Sequence, residues 1–257
     1  MSDEFFSFAG VKHLSVSTVN SFISYKSNFI ENKMKGQPFR PSANMARGTA
    51  VEHGLNTYIK GAGIETAVLE AQTNFKNSLV KDKFNQQKAD DLYPSIEGCV
   101  LEACRHYKSF LKNGAPQMQE RFEVQLDGIK RPIVGYLDYL FDECIRDLKC
   151  VSKTPSYGLS QGYKIQGAVY KKVYGVDVYF DHIVANKEPK AVPVKLTDQD
   201  YSFGLNYFVK AAQALERMLD ACENGDPYTV LEQFAFPDLS QVWDADEKEA
   251  IAKQYGL

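Results

Sequence analysis

One stretch constrains this chain more than any other: residues 133–149, IVGYLDYLFDECIRDLK. It alternates as two short strands around an acidic turn at Asp142-Glu143. A two-residue loop there pairs Phe141 with Cys144 and sets Asp138 directly opposite Asp147. Paired residues of an antiparallel ladder share a face, so the two carboxylates are expected within about 5 Å of each other. Lys149, two residues past Asp147, falls on that face as well. Two acids and a lysine on one face are costly if buried and unpaired, because like charges repel and each is desolvated. A divalent cation between the carboxylates removes that cost. The simpler alternative is an Asp138–Lys149 surface ion pair worth under about 1 kcal/mol. Val134, Leu137 and Leu140 weigh against it, because they predict a sheet covered on both faces. With a longer loop the two acids would lie diagonally, which a bridging cation still tolerates.

The rest of the chain bounds what this hairpin can serve. At 257 residues it can bury a substantial core, and its net charge of -3 gives no global pull toward a polyanion or a membrane. Any nucleic-acid site must therefore be a local basic patch. Five cysteines with no CxxC pair argue against a disulfide framework or zinc knuckle and for a reducing cytoplasm. No apolar run approaches the roughly 18 residues needed to span a bilayer, and the acidic N-terminus does not read as a secretory signal.

Periodicity predicts helices over 15–35, from Asn44 to Gly61, over 64–83 and over 95–112, the last capped by Ser95, with a solvated segment 81–91 before it. At Pro116 the pattern switches. Residues 121–128 read as a strand ending in the Asp127-Gly128 turn, and the two strands of the hairpin follow. A helix from Ser160 to Tyr174 is closed by Gly175. Strands are expected in VDVYFDHIVAN and AVPVKL, then a long helix over 197–222 capped by Thr197-Asp198. An acidic tail, 226–257, carries Trp243. The simplest reading is one α/β domain spanning 1–257, with its core over about 44–196 and helical additions at 15–35, 64–112 and 197–222.

The order α-β-β-β-α-β, with GYLD on one strand and DLK on the next, resembles the PD-(D/E)XK nuclease superfamily. Gln166-Gly167-Ala168-Val169-Tyr170 is similar to the QxxxY motif of its RecB-like branch. Arg47-Gly48-Thr49-Ala50-Val51-Glu52-His53 resembles the first-helix motif of that branch and of lambda-exonuclease-like phage enzymes, a glycine followed four or five residues on by a metal-binding His or Glu. Each motif alone is weak; four in order on the right elements are not. The resemblance implies a mixed central sheet flanked by helices and a DNA exonuclease that depends on Mg²⁺ or Mn²⁺. It further implies resection of duplex ends, often by a ring-shaped homo-oligomer beside a single-strand annealing protein, in a bacterial or phage-infected cytoplasm. A nicking or structure-selective endonuclease, or a DNA-binding module without activity, would use the same fold. Some RecB-like nucleases hold an iron–sulfur cluster through three cysteines after QxxxY. Only Cys222 follows Tyr170 here, so none is expected.

The residue types suit the implied chemistry. Phosphodiester hydrolysis needs phosphate charge offset, a water deprotonated and a leaving oxygen stabilised. Asp138, Asp147, the backbone carbonyl of Leu148 and one helix residue offer hard oxygen ligands. That helix residue is Glu52 or, alternatively, His53, since helical neighbours point about 100° apart. Lys149 would position or deprotonate the water. Gln166 and Tyr170, at i and i+4, share a helix face, where they would contact DNA or orient Lys149; a core tyrosine with a polar neighbour is the plainer alternative. Arg47, Ser152, Lys153, Ser156, Lys171 and Lys172 are candidate phosphate contacts, each equally readable as solvated surface.

Overall fold

A computed structural model describes residues 11–24, 41–82, 86–155, 158–225 and 249. Its helices are α1 (Val16–Ser24), α2 (Ala43–Ile59), α3 (Ile64–Asp82), α4 (Gln86–Leu92), α5 (Ser95–Tyr107), α6 (Gln161–Tyr174) and α7 (Asp198–Asn224). Its strands are β1 (Gln117–Val124), β2 (Ile133–Leu140), β3 (Cys144–Val151), β4 (Asp177–Val184) and β5 (Lys190–Lys195). The strands form one five-stranded sheet in the order β1-β2-β3-β4-β5. β3 and β4 are parallel and joined through α6, whereas β2–β3 and β4–β5 are antiparallel. The mixed α/β architecture with flanking helices is therefore as the pattern implied.

Two compact units divide the chain, one formed by 40–121 and 136–204 and the other by 1–39, 122–135 and 205–257. In the first, Ser42 caps α2 by accepting from the Met45 amide, as an N-cap hydroxyl should. α2, α3 and α5 pack tightly, and the contact depends on Gly54, where a Cβ would lie 2.8 Å from the Ala67 carbonyl oxygen. Val51, Leu55, Phe75, Ile96 and Val100 fill this layer, and it closes on Tyr139, Leu148 and Ile183 of the sheet. Each such side chain contributes about 1.5–3 kcal/mol by leaving water. α6 begins at Ser160, whose hydroxyl accepts from the Tyr163 amide, and ends at Gly175 in the left-handed conformation at φ 71°.

In the second unit, Leu14 bridges to Ile133, exchanging backbone hydrogen bonds with Pro132 and Val134. The backbone amides of Lys130 and Arg131 donate to Glu216, and the Arg131 guanidinium reaches Asp220 and Glu223.

Several boundaries differ from expectation. β1 starts at Gln117 and ends at Val124, so Asp127-Gly128 turns within a longer connection rather than at the strand's end. The segment expected to be merely solvated contains α4, anchored by the fully buried Ala89. Ser95 lies inside α5 and bonds back to the Leu92 carbonyl instead of capping, and a separate 3-10 turn (Phe110–Asn113) follows the helix. The expected continuation of the first helix to Lys35, the tail and Trp243 lie outside the described residues.

Candidate active site

The hairpin register is the one that the two-residue turn requires. Tyr139 pairs with Arg146 and Leu140 with Ile145, and the Phe141 amide donates to the Cys144 carbonyl at 2.9 Å. Continuing that register puts Asp138 across from Asp147. There the strands stop exchanging ordinary ladder bonds. The Leu148 amide donates to the Asp138 carboxylate at 2.9 Å, and the Tyr136 carbonyl accepts instead from the Tyr170 hydroxyl of α6 at 2.8 Å. The side chains thus replace the backbone partners where β2 departs from β3.

Asp147 is fully buried. Its Oδ2 accepts from Gln166 Nε2 at 3.1 Å, and the same amide donates to the Tyr170 hydroxyl at 2.7 Å. Its Oδ1 is ion-paired with the Lys149 ammonium. The lysine is flanked by aromatic faces, with its Nζ 5.4 Å from the Tyr163 ring centre and 5.9 Å from that of Phe180. α2 brings Glu52 into the same electrostatic neighbourhood, where Gln119 of β1 donates to its Oε1 at 2.6 Å. His53 turns the other way, its Nε2 3.5 Å from Glu70 on α3.

The charges disturb one another in a consistent sense. Burial pushes the Asp138 carboxyl well above the usual range, and the charge of Asp147 adds to it. Glu52 is raised by burial and then by Asp147, against the pull of Lys149 and hydrogen bonds from Asn56 and Gln119. Asp147 is raised by burial despite the lysine. Burial opposes the charge of Lys149, but Asp147 and Asp138 outweigh it and hold its pKa above the ordinary value. Three carboxylates facing one ammonium leave an excess of two negative charges when all are ionised.

No protein-family model and no curated protein matches the chain. Its fold is similar to that of a solved structure from Eubacterium rectale, described as a candidate exonuclease. That similarity has a TM-score of 0.58 and 19% identity, over 93% of this chain and 88% of that chain. A second solved structure, of the protein SSO0001, aligns with a TM-score of 0.32 and 12% identity over 66% of this chain and 86% of that chain, too distant to bear on the site.

The donor set fits a hard divalent cation by chemistry: carboxylate oxygens, an excess of negative charge, and acids whose pKa values are raised chiefly by burial and, for Asp138 and Glu52, by the neighbouring Asp147. Among the described residues, however, no three His, Cys, Asp or Glu side chains are already gathered in a metal-holding geometry. One oxygen of each acid is engaged within the protein: the lysine pairs with Asp147, the Leu148 amide donates to Asp138, and Gln119 donates to Glu52.

The surrounding residues expected to meet phosphate are placed unevenly. Arg47 is 2% exposed and donates to the Ser152 hydroxyl at 3.1 Å, so it is a buried support for the segment after β3 rather than an open grip. Ser152, Lys153 and Lys172 are exposed. Lys171 is engaged by Asp198 at 2.9 Å, and Ser156 lies outside the described residues. Three participants escaped the sequence reading: Gln119, Asn56 and Tyr163. No spacing rule marks a glutamine on an edge strand, but Tyr163 sits at i−3 from Gln166 and that helical offset would have flagged it.

Proposed function

We propose that the chain is a metal-dependent deoxyribonuclease of the PD-(D/E)XK, RecB-like kind, acting as an exonuclease on DNA ends. The observation that carries this reading is the Asp147–Lys149 ion pair, with Asp138 and Glu52 within its electrostatic reach, Gln166 bonded to Asp147 and Tyr170 bonded to Gln166. The likeness in fold to a candidate exonuclease supports it.

Glu52, Asp138, Asp147 and the Leu148 carbonyl would hold Mg²⁺ or Mn²⁺. When bound, the ion supplies positive charge to offset the scissile phosphate and to acidify a water. Gln166 fixes the orientation of Asp147, and Tyr170 holds the departing end of β2 so that Asp138 stays opposite it. Lys149 is cationic in the hold of two carboxylates, so its first service is electrostatic: it offsets phosphate charge and orients the attacking water. Ser152 and Lys153, exposed just past β3, are placed to meet backbone phosphates.

The test is digestion of end-labelled linear duplex and of covalently closed circular duplex with Mg²⁺ present. We expect nucleotide release from the linear substrate, an intact circle, and loss of activity in Asp147→Asn. Cutting of the circle at a comparable rate would replace the exonuclease with an endonuclease. Activity undiminished in Asp147→Asn would remove the site itself.

A further inference from the structure

Gln119 has φ 54°, and it is the one non-glycine with positive φ among the described residues. The left-handed region is strained for any residue carrying a Cβ, and strain of this kind persists only where the surroundings or a function hold it. The core does not demand it, because the Gln119 side chain is exposed. Nor does a turn, because the residue lies inside β1, the edge strand of the sheet. Edge strands do carry local kinks that re-aim a side chain. Here the re-aimed group is an amide, and it donates to Glu52 Oε1 at 2.6 Å. Together with a hydrogen bond from Asn56, it fixes the carboxylate of Glu52 within the electrostatic reach of Asp147.

We propose that Gln119 is a positioning residue for Glu52, and that the strained backbone is retained because it presents this amide. The proposal rests on the reading of Glu52 as a cation ligand. Hydrogen-bond partners of metal ligands fix ligand orientation, and their loss typically weakens metal binding by about 10–100-fold. A kink that served only the sheet edge would be served as well by glycine, which adopts positive φ without strain. The two accounts therefore part at Gln119→Gly.

The experiment is calorimetric titration with Mn²⁺ alone, alongside thermal unfolding in EDTA, on the full chain and its Gln119→Gly, Gln119→Asn and Asp147→Asn variants. We expect Gln119→Gly to unfold at a higher temperature in EDTA yet to bind Mn²⁺ about 10–100-fold more weakly. Gln119→Asn, which tolerates the left-handed region and keeps a shorter amide, should fall between wild type and glycine in affinity. Wild-type affinity in Gln119→Gly would overturn the proposal while leaving the metal site standing. Absence of Mn²⁺ binding by the wild type, or binding unchanged in Asp147→Asn, would overturn the metal reading and the proposal with it.

Discussion

Replacing Asp138 by asparagine separates a cation site from an ordinary ion pair, because the two readings predict opposite changes in stability. Asparagine keeps the volume and can still accept from the Leu148 amide, so the change is close to a pure removal of charge. Asp147 raises the Asp138 pKa more than Lys149 lowers it, and burial exceeds both. Two unit charges about 5 Å apart at an effective dielectric constant of about 20 repel by roughly 3 kcal/mol. The lost attraction to Lys149 cancels part of that, leaving an expected gain of about 1–2 kcal/mol in EDTA at pH 8. For a chain of this size that is roughly 2–8 °C in Tm. The sign with pH follows from the raised pKa. The folded protein binds the Asp138 proton more tightly than the unfolded chain does. The advantage of the variant is therefore full above the folded pKa, shrinks as pH falls through it, and is gone below the unfolded value near 3.9. With Mn²⁺ the order reverses, since wild type gains about 2.7 kcal/mol at a hundredfold excess over Kd and the variant gains little. The assay is thermal unfolding of both proteins in EDTA and in Mn²⁺ across pH 4–8. A variant less stable than wild type in EDTA at pH 8 would refute the reasoning and make Asp138–Lys149 a stabilising pair.

On the opposite face of the sheet, Arg146 donates to both oxygens of the fully buried Asp181, whose Oδ1 also lies 3.1 Å from His106 Nε2; Arg146→Met should cost about 3–5 kcal/mol in urea unfolding, and a cost under about 1 kcal/mol would be evidence against it. Burial alone would raise the Asp181 pKa, but His106 and Arg146 hold it below the ordinary value. Its stabilisation is present above the unfolded pKa and lost as pH falls through the folded one, so Asp181→Asn should flatten the acid limb of the stability profile. Tyr170→Phe removes the donor to the Tyr136 carbonyl and should cost about 1 kcal/mol in stability and about tenfold in cleavage rate, read by unfolding and by end-labelled digestion. Gly204→Ala would put a Cβ 2.2 Å from the Lys164 carbonyl oxygen, and a loss of about 1–3 kcal/mol is expected in the same unfolding assay.

The hairpin was legible in the sequence because its register depends on two local facts, the period of two and a two-residue turn, and both hold from Phe141 to Cys144. The helix end at Gly175 was legible for the same reason, as it satisfies groups within one turn of itself. The start of β1 is not legible because Gln119-Glu120-Arg121 interrupts the apolar alternation of the sequence although burial alternates along the strand, and the Asp127-Gly128 signal draws the other boundary toward it. α4 is not legible because its polar sequence QQKADDL offers no apolar stripe, and the burial of Ala89 is set by neighbouring helices. In the site, Asp138, Asp147 and Lys149 could be read from parity alone. The choice of Glu52 over His53 could not, since it turns on Glu70 and Gln119, which lie 17 and 67 residues away from His53 and Glu52 respectively.

The state of Lys149 links these points. A lysine held by two carboxylates above its ordinary pKa cannot accept a proton near neutrality, so in this arrangement it is no general base. Among the described residues it is also the cation ion-paired with Asp147, its ammonium lying against Oδ1. Asp138 and Asp147 would hold a divalent ion, and with their charges offset in this way their pull on the lysine would weaken. The lysine would then be free to turn toward water while Tyr163 and Phe180 still bounded its reach. The acids whose charges crowd one another at this site are therefore the same groups that hold its lysine protonated.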